Sequence, residues 1–374
     1  MNSNAHESIR VLQIIGNVCR GGVEAVVMNY YRHIDRNRIQ FDFVIDDDSN
    51  PLLDDEITSL GGRVYKVEPY SKNIFKQIYQ VRQIVKENGY EIVHSHMNTL
   101  SVFSLFAAWL GGAHTRIVHN HSTATDGEVF RTAIKYILRP FAKLFANQYA
   151  ACSMLAAQWM FGDLAKKQKV TVFNNAIDLD MFSYDVESRN RYRAEFGIGE
   201  DAFVIGHIGR FVYQKNHDFL IDVMAEVAKK KENSILLLIG DGPLYGAVFD
   251  KVQKMGLADR VEFLGLREDV AKLYNSMDVF VLPSWYEGLP VVAVEAQANG
   301  LQCLVSDRIS AECQLTSGLS FMQLEQSAEA WAGKILQLPQ GRDTNVKGEL
   351  RESGFDIRRE SKKLQDFYET LYKL

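Results

Sequence analysis

Residues 285–300 read WYEGLPVVAVEAQANG, and its two carboxylates, Glu287 and Glu295, bracket a run that otherwise has the composition of core. Pro290 suits the first turn of a helix whose body is VVAVEAQAN. Gly288 and Leu289 then present backbone amides to an anion at the positive end of that helix. Glu295 lies five residues beyond Pro290, or ~7.5 Å along the axis at 1.5 Å per residue. A nucleotide diphosphate spans a comparable length from phosphates to ribose. One helix would therefore hold the phosphates at its start and the ribose hydroxyls through Glu295, leaving Glu287 to face the group that the phosphates carry. Helical glutamates usually end in surface salt bridges. Val291, Val292, Val294, Ala296 and Ala298 instead indicate a helix buried nearly all round, where a carboxylate needs a partner.

Three other stretches carry residues that could do chemistry. In GRFVYQKNHDFL (209–220), Gly209 and Arg210 end a strand and Lys215 stands just before a helix. A planar guanidinium fork and a point charge together suit a pyrophosphate, although lone surface cations are usually only solvated. In GNVCRGGVEAVV (16–27), Gly21 and Gly22 allow close backbone approach at a helix start. The run is not GxGxxG, which argues against a dinucleotide enzyme. In EIVHSHMN and TRIVHNHSTATDG, His94, His96, His119 and His121 make up four of the nine histidines. No carboxylate accompanies them at ligand spacing, so a catalytic or hydrogen-bonding role for one of them is favoured over a metal.

These stretches all fall where strand-like runs end. IRVLQII, FDFVID, RVYKVEP, EIVHSH, TRIVHNH, QYAACS and KVTVFN form one series, with helices near 23–34, 72–88, 99–110, 128–146 and 153–161. FVIGHIG, ILLLIG, VEFLG, DVFVLP and LQCLVSD form a second, with helices near 216–231, 243–255, 268–275 and 289–299. Strands apolar on both faces and alternating with helices imply parallel sheets covered on both sides. In such sheets ligands bind beyond the carboxyl ends of the strands. The expected division is one Rossmann-like domain over 1–178, a second over 179–355, and a C-terminal helix over 356–374 packing back across the junction.

The 374 residues are enough for two cores. Residues 1–178 carry 19 Lys+Arg against 17 Asp+Glu, and the remainder 23 against 30, for a net charge of −5. Without a concentrated basic stripe, a dedicated nucleic-acid binder is excluded. The four cysteines show neither CxxC nor zinc spacing and read as reduced structural thiols. No apolar stretch reaches the ~18 residues of a membrane span. The expected location is the cytoplasm.

Taken together, GGVE, GRFVYQKN, LLLIGDGP, VEFLG and EGLPVVAVE resemble the retaining glycosyltransferases of family 4. Glu287 and Glu295 match that family's Glu-seven-residues-Glu motif, and the likeness covers essentially the whole chain in order. SWYEGLPVVAVEAQANGLQCLVSD further resembles the bacterial capsular and exopolysaccharide branch. The resemblance implies the GT-B fold, an α/β architecture of two Rossmann-like domains whose parallel sheets face across a deep cleft, and makes the first domain acceptor-binding and the second the nucleotide-sugar donor domain. It implies transfer of a hexose or N-acetylhexosamine from a UDP-sugar to a saccharide hydroxyl, with retained configuration and no metal or other cofactor. By the same resemblance Arg210 and Lys215 bind the pyrophosphate, joined by backbone at Gly209, Gly288 and Leu289, and Gly21 and Gly22 border it from the other domain. Glu295 takes the ribose, Glu287 faces the sugar, and the base lies near Leu266 and Arg267. A histidine near the sugar is His121 in preference to His119, with His96 and Asn98 in the acceptor and sugar vicinity. One departure is Asn216, where the family commonly has Gly after its lysine; it puts the loop's shape in question.

RTAIKYILRPFAKLFANQ, within the helix expected over 128–146, spaces Arg131, Lys135, Arg139 and Lys143 by four with apolar residues between. Such a helix can rest on anionic lipid, which would fit a lipid-linked acceptor and a peripheral seat on the inner face of the membrane. An ordinary surface helix fits the pattern equally. Two other functions share the architecture: a GT-B-like UDP-sugar 2-epimerase, which needs no acceptor, and a non-catalytic two-domain sugar-binding protein.

Overall fold

The computed structural model describes residues 8–18, 22–49, 51–122 and 129–373. The chain divides into two compact units, Met1–Ala176 with Asp356–Leu374, and Ile177–Phe355. The first unit is built on seven strands: β1 (Ile9–Gly16), β2 (Ile39–Asp46), β3 (Val64–Val67), β4 (Ile92–Ser95), β5 (Thr115–Asn120), β6 (Gln148–Ala151) and β7 (Thr171–Val172). They are ordered β3-β2-β1-β4-β5-β6-β7 and every pair is parallel. The second unit holds β8 (Phe203–Ile208), β9 (Ser234–Ile239), β10 (Val261–Gly265), β11 (Val279–Leu282), β12 (Gln302–Ser306) and β13 (Leu319–Met322). Their order is β10-β9-β8-β11-β12-β13, again all parallel.

Burial explains this choice of sheet. Every residue of β2 and of β8 is buried, as expected where helices cover both faces. In each sheet the strand order reverses once, between β1 and β4 and between β8 and β11. The second junction has a short ladder of Val279↔Ile205 and Phe280↔Gly206. It is reinforced by Asp278, which pairs with Arg189 at 2.6 Å and Arg193 at 2.8 Å and accepts from the Val204 amide at 2.7 Å. These bonds hold the starts of β8 and β11 side by side, at the sheet edge opposite the loops that leave the two strands.

Several elements differ from the sequence reading. The edge strand β13 and the helices Val186–Glu195 and Ala328–Gln337 are additional. The helix expected over 128–146 ends at Leu138 and is followed by a separate 3-10 turn, Phe141–Lys143. Pro140 has no amide for the Tyr136 carbonyl, so the helix cannot run on; Lys135 therefore does not share a helix with Arg139 and Lys143. The C-terminal helix Ile357–Tyr372 belongs to the first unit, burying Leu364, Tyr368 and Leu371. Tyr368 meets Phe41 edge-on with ring centres 5.8 Å apart, and Phe367 meets Phe173 at 5.3 Å.

Candidate functional site

In the second unit, the loops after β8 and β11 meet at the point where the strand order reverses, the place where open parallel sheets bind ligands. Four contacts stitch them together. The Trp285 amide donates to Gln214 O at 2.8 Å, Gln214 Nε2 to Tyr286 O at 3.0 Å and Asn216 Nδ2 to Pro283 O at 3.1 Å. The Tyr213 and Trp285 rings stack 5.7 Å apart within 3° of parallel. Inside this frame Lys215 Nζ lies 2.6 Å from Glu287 Oε1, with the two side chains only 15% and 11% exposed. Ser284 Oγ donates to the same carboxylate oxygen at 3.3 Å, and a backbone bridge to Ile309 pins Glu287.

Two glycines make this geometry fit. A Cβ on Gly209 would sit 3.1–3.2 Å from the Lys215 aliphatic chain. A Cβ on Gly240, whose φ is +140°, would fall 2.1 Å from Gly209 O, so the loop after β9 can lie directly on the loop after β8. Asn216 answers the question raised by the missing glycine. Its φ is +57°, the left-handed region that asparagine tolerates better than other side chains, and its amide adds the bond to Pro283. Arg210 is exposed at the end of β8.

The helix Val291–Ala298 starts behind this loop with Pro290 as its N-cap rather than in its first turn. Ala293, Val294, Ala296, Gln297 and Ala298 are buried, whereas Val291, Val292 and Glu295 are half-buried along one face. Glu295 Oε2 accepts from the buried Tyr274 hydroxyl at 2.8 Å, which supplies the partner its burial demands. Burial pushes the Glu295 carboxyl up to about 7, with the Tyr274 hydrogen bond opposing. Glu287, Gly288, Leu289 and Glu295 thus lie on one loop and helix beside Gly209, Arg210 and Lys215. Leu266 and Arg267 follow the edge strand β10 at the same carboxyl edge. Leu266 is exposed, while the Arg267 guanidinium is engaged by Asp269 at 2.7 Å and Glu195 at 3.3 Å.

In the first unit, residues two apart on a strand share a face, and β4 and β5 bring all four imidazoles together. His94 Nε2 is 3.1 Å from His119 Nδ1, and His96 Nδ1 is 2.9 Å from His121 Nε2. His94, His96 and His119 are buried, and His121 is half-buried. Burial lowers all four, His121 to about 3, so they are neutral imidazoles at pH 7. The Asn98 side-chain Oδ1 accepts from the His121 backbone N–H at 2.7 Å, bringing His96, Asn98, His119 and His121 into one cluster. His94, His96 and His119 offer nitrogens within 4.8 Å of one another. Both nitrogens of His94 and of His96 are already taken up in hydrogen bonds.

Gly21 lies outside the described residues, as does Cys19. Gly22 opens the helix Gly22–His33, where a Cβ would meet nothing within 4 Å. Cys152, Cys303 and Cys313 are buried. Of the acidic run at 46–48, Asp46 is buried at the end of β2, and burial raises it to about 6. Sequence reasoning missed Tyr274, Ser284, Gly240, Gln13 and Tyr368. Only Gly240 had a local signal, the GDG in LLLIGDGP.

Comparison with known proteins gives the family and the fold. Residues 20–181 match the family model Glycosyltransferase Family 4, and residues 188–352 match Glycosyl transferases group 1. EpsF of Bacillus subtilis (strain 168), described as a putative glycosyltransferase, is 35% identical over 370 residues, 96% of either chain. The UDP-Gal:alpha-D-GlcNAc-diphosphoundecaprenol alpha-1,3-galactosyltransferase of Escherichia coli is 24% identical over 98% of both. Anabaena HepE, solved in complex with UDP-glucose, matches the fold with a TM-score of 0.79 at 20% identity, covering 98% of this chain and 100% of that one. Matched along both halves, and built on two parallel sheets of this order, the chain belongs to glycosyltransferase family 4 and carries the GT-B fold.

Proposed function

We propose that the protein transfers a hexose or N-acetylhexosamine, with retained configuration, from a UDP-sugar to a hydroxyl of a lipid-linked saccharide during capsule or exopolysaccharide assembly. The observation that carries this reading is the Lys215–Glu287 pair at the strand-order reversal, with Glu295 eight residues on in the helix that starts there. Arg210 and Lys215 supply the positive charge for a departing diphosphate, so the reading needs no metal. Gly209, Gly288 and Leu289 border the phosphates, and Gly21 and Gly22 are assigned to the same group on the family resemblance alone. Glu295 takes the ribose, and the base lies against backbone at Leu266 and Arg267. The bond from the sugar C1 to phosphate oxygen breaks as the acceptor oxygen bonds C1 on the same face, and the acceptor proton passes to the departing phosphate. Glu287, held by Lys215, is assigned to the sugar, and His121, clustered with His96, Asn98 and His119, to the sugar and acceptor.

The lipid-linked acceptor is supported by the E. coli relative's named substrate and by a surface of the first unit. Tyr136, Ile137, Phe141 and Leu144 are each more than half exposed, interleaved with Lys135, Arg139 and Lys143. No helix among the described residues is long and apolar enough to cross a membrane, so we read this face as a peripheral contact with the inner leaflet. Flotation with anionic liposomes should be lost in the Lys135→Glu/Lys143→Glu double variant; unchanged binding would remove the membrane contact.

The test of function is incubation of UDP-sugars with diphosphoundecaprenol-linked saccharides, followed by mass spectrometry and anomeric NMR. A new glycoside with the donor's configuration is expected. An inverted linkage, or epimerised donor formed without acceptor, would contradict the proposal.

A further inference from the structure

Gln13 on β1 and Tyr368 on the C-terminal helix sit behind the four histidines and join them into one network. Gln13 Nε2 donates to the Tyr368 hydroxyl oxygen at 3.1 Å, and Gln13 Oε1 is 2.9 Å from His96 Nε2. The Tyr368 hydroxyl is 2.6 Å from His94 Nδ1. Gln13, Tyr368, His94, His96 and His119 are all buried, so no water competes for these bonds, and each neutral ring carries one N–H and one lone pair.

With the Gln13 amide in this orientation, following donors and acceptors outward from it assigns every proton. Gln13 Oε1 can only accept, so His96 carries its proton on Nε2 and accepts at Nδ1. His121 must then donate from Nε2, which leaves His121 Nδ1 as a lone pair. On the other branch, the Tyr368 oxygen already accepts from Gln13 and donates to His94 Nδ1. His94 therefore donates from Nε2 to His119 Nδ1, and His119 holds its proton on Nε2, a buried nitrogen with no hydrogen-bond partner among the described residues. Turning the Gln13 amide over would reverse both branches at once, since each step passes on the sense of the one before.

We propose that Gln13 and Tyr368 are positioning residues that set the tautomer of His121 through His96, while locking His94 and His119 in the matching sense. The consequence for transfer rests on the reading of His121 as the histidine facing the sugar. A ring nitrogen with a lone pair accepts a hydrogen bond from a sugar or acceptor hydroxyl, whereas one with a proton can only donate. Tyr368 thus gives the last helix of the chain a bearing on the chemistry that no contact with substrate requires.

Imidazole 15N–1H correlation spectra of the full-length protein, with histidines labelled, read each tautomer directly. Wild type is expected to show Nε2–H on all four rings. His121 with Nε2–H beside His94 with Nδ1–H would overturn the coupling without any variant. In Gln13→Glu, the carboxylate accepts from both Tyr368 and His96. His94 and His119 should then switch to Nδ1–H while His96 and His121 keep Nε2–H. In Tyr368→Phe, His121 should become a mixture of tautomers and kcat should fall roughly tenfold, with the donor KM within twofold; an unchanged His121 spectrum would refute the proposal. A changed spectrum with unchanged kcat would instead overturn the role assigned to His121 in transfer, and with it that of its two supports.

Discussion

Replacing Lys215 by methionine removes the only cation that the structure pairs with Glu287 among the described residues. The pair is 2.6 Å apart, with side chains 15% and 11% exposed, so the abandoned carboxylate would stay largely out of water. Removing one partner of a fully buried pair typically costs ~3–5 kcal/mol. The residual exposure, together with the Ser284 hydroxyl, brings the expected loss to about 2–3 kcal/mol. For a unit of this size that corresponds to a Tm drop of about 5–10 °C. Adding Glu287→Gln removes the stranded charge, and the double variant should recover to within about 1 kcal/mol of wild type. Activity should not recover with it, because Lys215 is also assigned to the leaving diphosphate, and losing such a group costs on the order of a hundredfold or more in kcat. Urea unfolding of the two singles and the double, with turnover measured on the same preparations, checks both limbs. Additive destabilisation in the double variant would refute the pairing argument, and full turnover in Lys215→Met would refute the assignment to diphosphate.

Other outcomes follow from the same loop and helix. Glu295 is raised from 4.5 to about 7 by burial, so the folded state holds its proton more tightly than the unfolded chain. Its burial therefore costs nothing below pH 4.5, destabilises increasingly up to pH 7 and stays constant above. Glu295→Gln should match wild type in stability at pH 4 and exceed it by about 1–3 kcal/mol at pH 8; equal stability at both pH values would show that the carboxyl is not desolvated. Asn216→Val forces a β-branched side chain to φ +57° and deletes the bond to Pro283 O. It should cost about 2–3 kcal/mol in urea unfolding, whereas Asn216→Gly should lose no more than about 1 kcal/mol. Gly240→Ala places a methyl 2.1 Å from Gly209 O, and UDP titration should show binding weakened at least tenfold if the loop after β9 supports the phosphate site.

The two sheets were legible because their strands are short apolar runs ending in turn residues, and the site because it lies where those runs end. What escaped depends on contacts distant in sequence. Tyr274 partners Glu295 from a 3-10 turn before β11, and no spacing rule connects the two. Gln13 and Tyr368 are 355 residues apart. The helix Val186–Glu195 reads VESRNRYRAE, almost without apolar residues; it starts at Asp185, whose side chain caps the Glu187 and Ser188 amides, and is held by Arg189 and Arg193 on Asp278. The strand β13 is an edge in which only Leu319 is fully buried, so it lacks the run apolar on both faces that marks the central strands. The stretch 128–146 was read too long because its charge period passes through Pro140, and charge spacing says nothing about a missing amide.

The central claim is that the carboxyl edge of the second sheet holds a uridine diphosphate sugar through Lys215 and Glu295. Calorimetric titration of UDP into wild type and Glu295→Ala tests it most directly. Losing a charge-assisted ribose contact is worth about 1.5–3 kcal/mol, so binding should weaken roughly 10- to 100-fold in the variant. Equal UDP affinity in the two proteins would contradict the account.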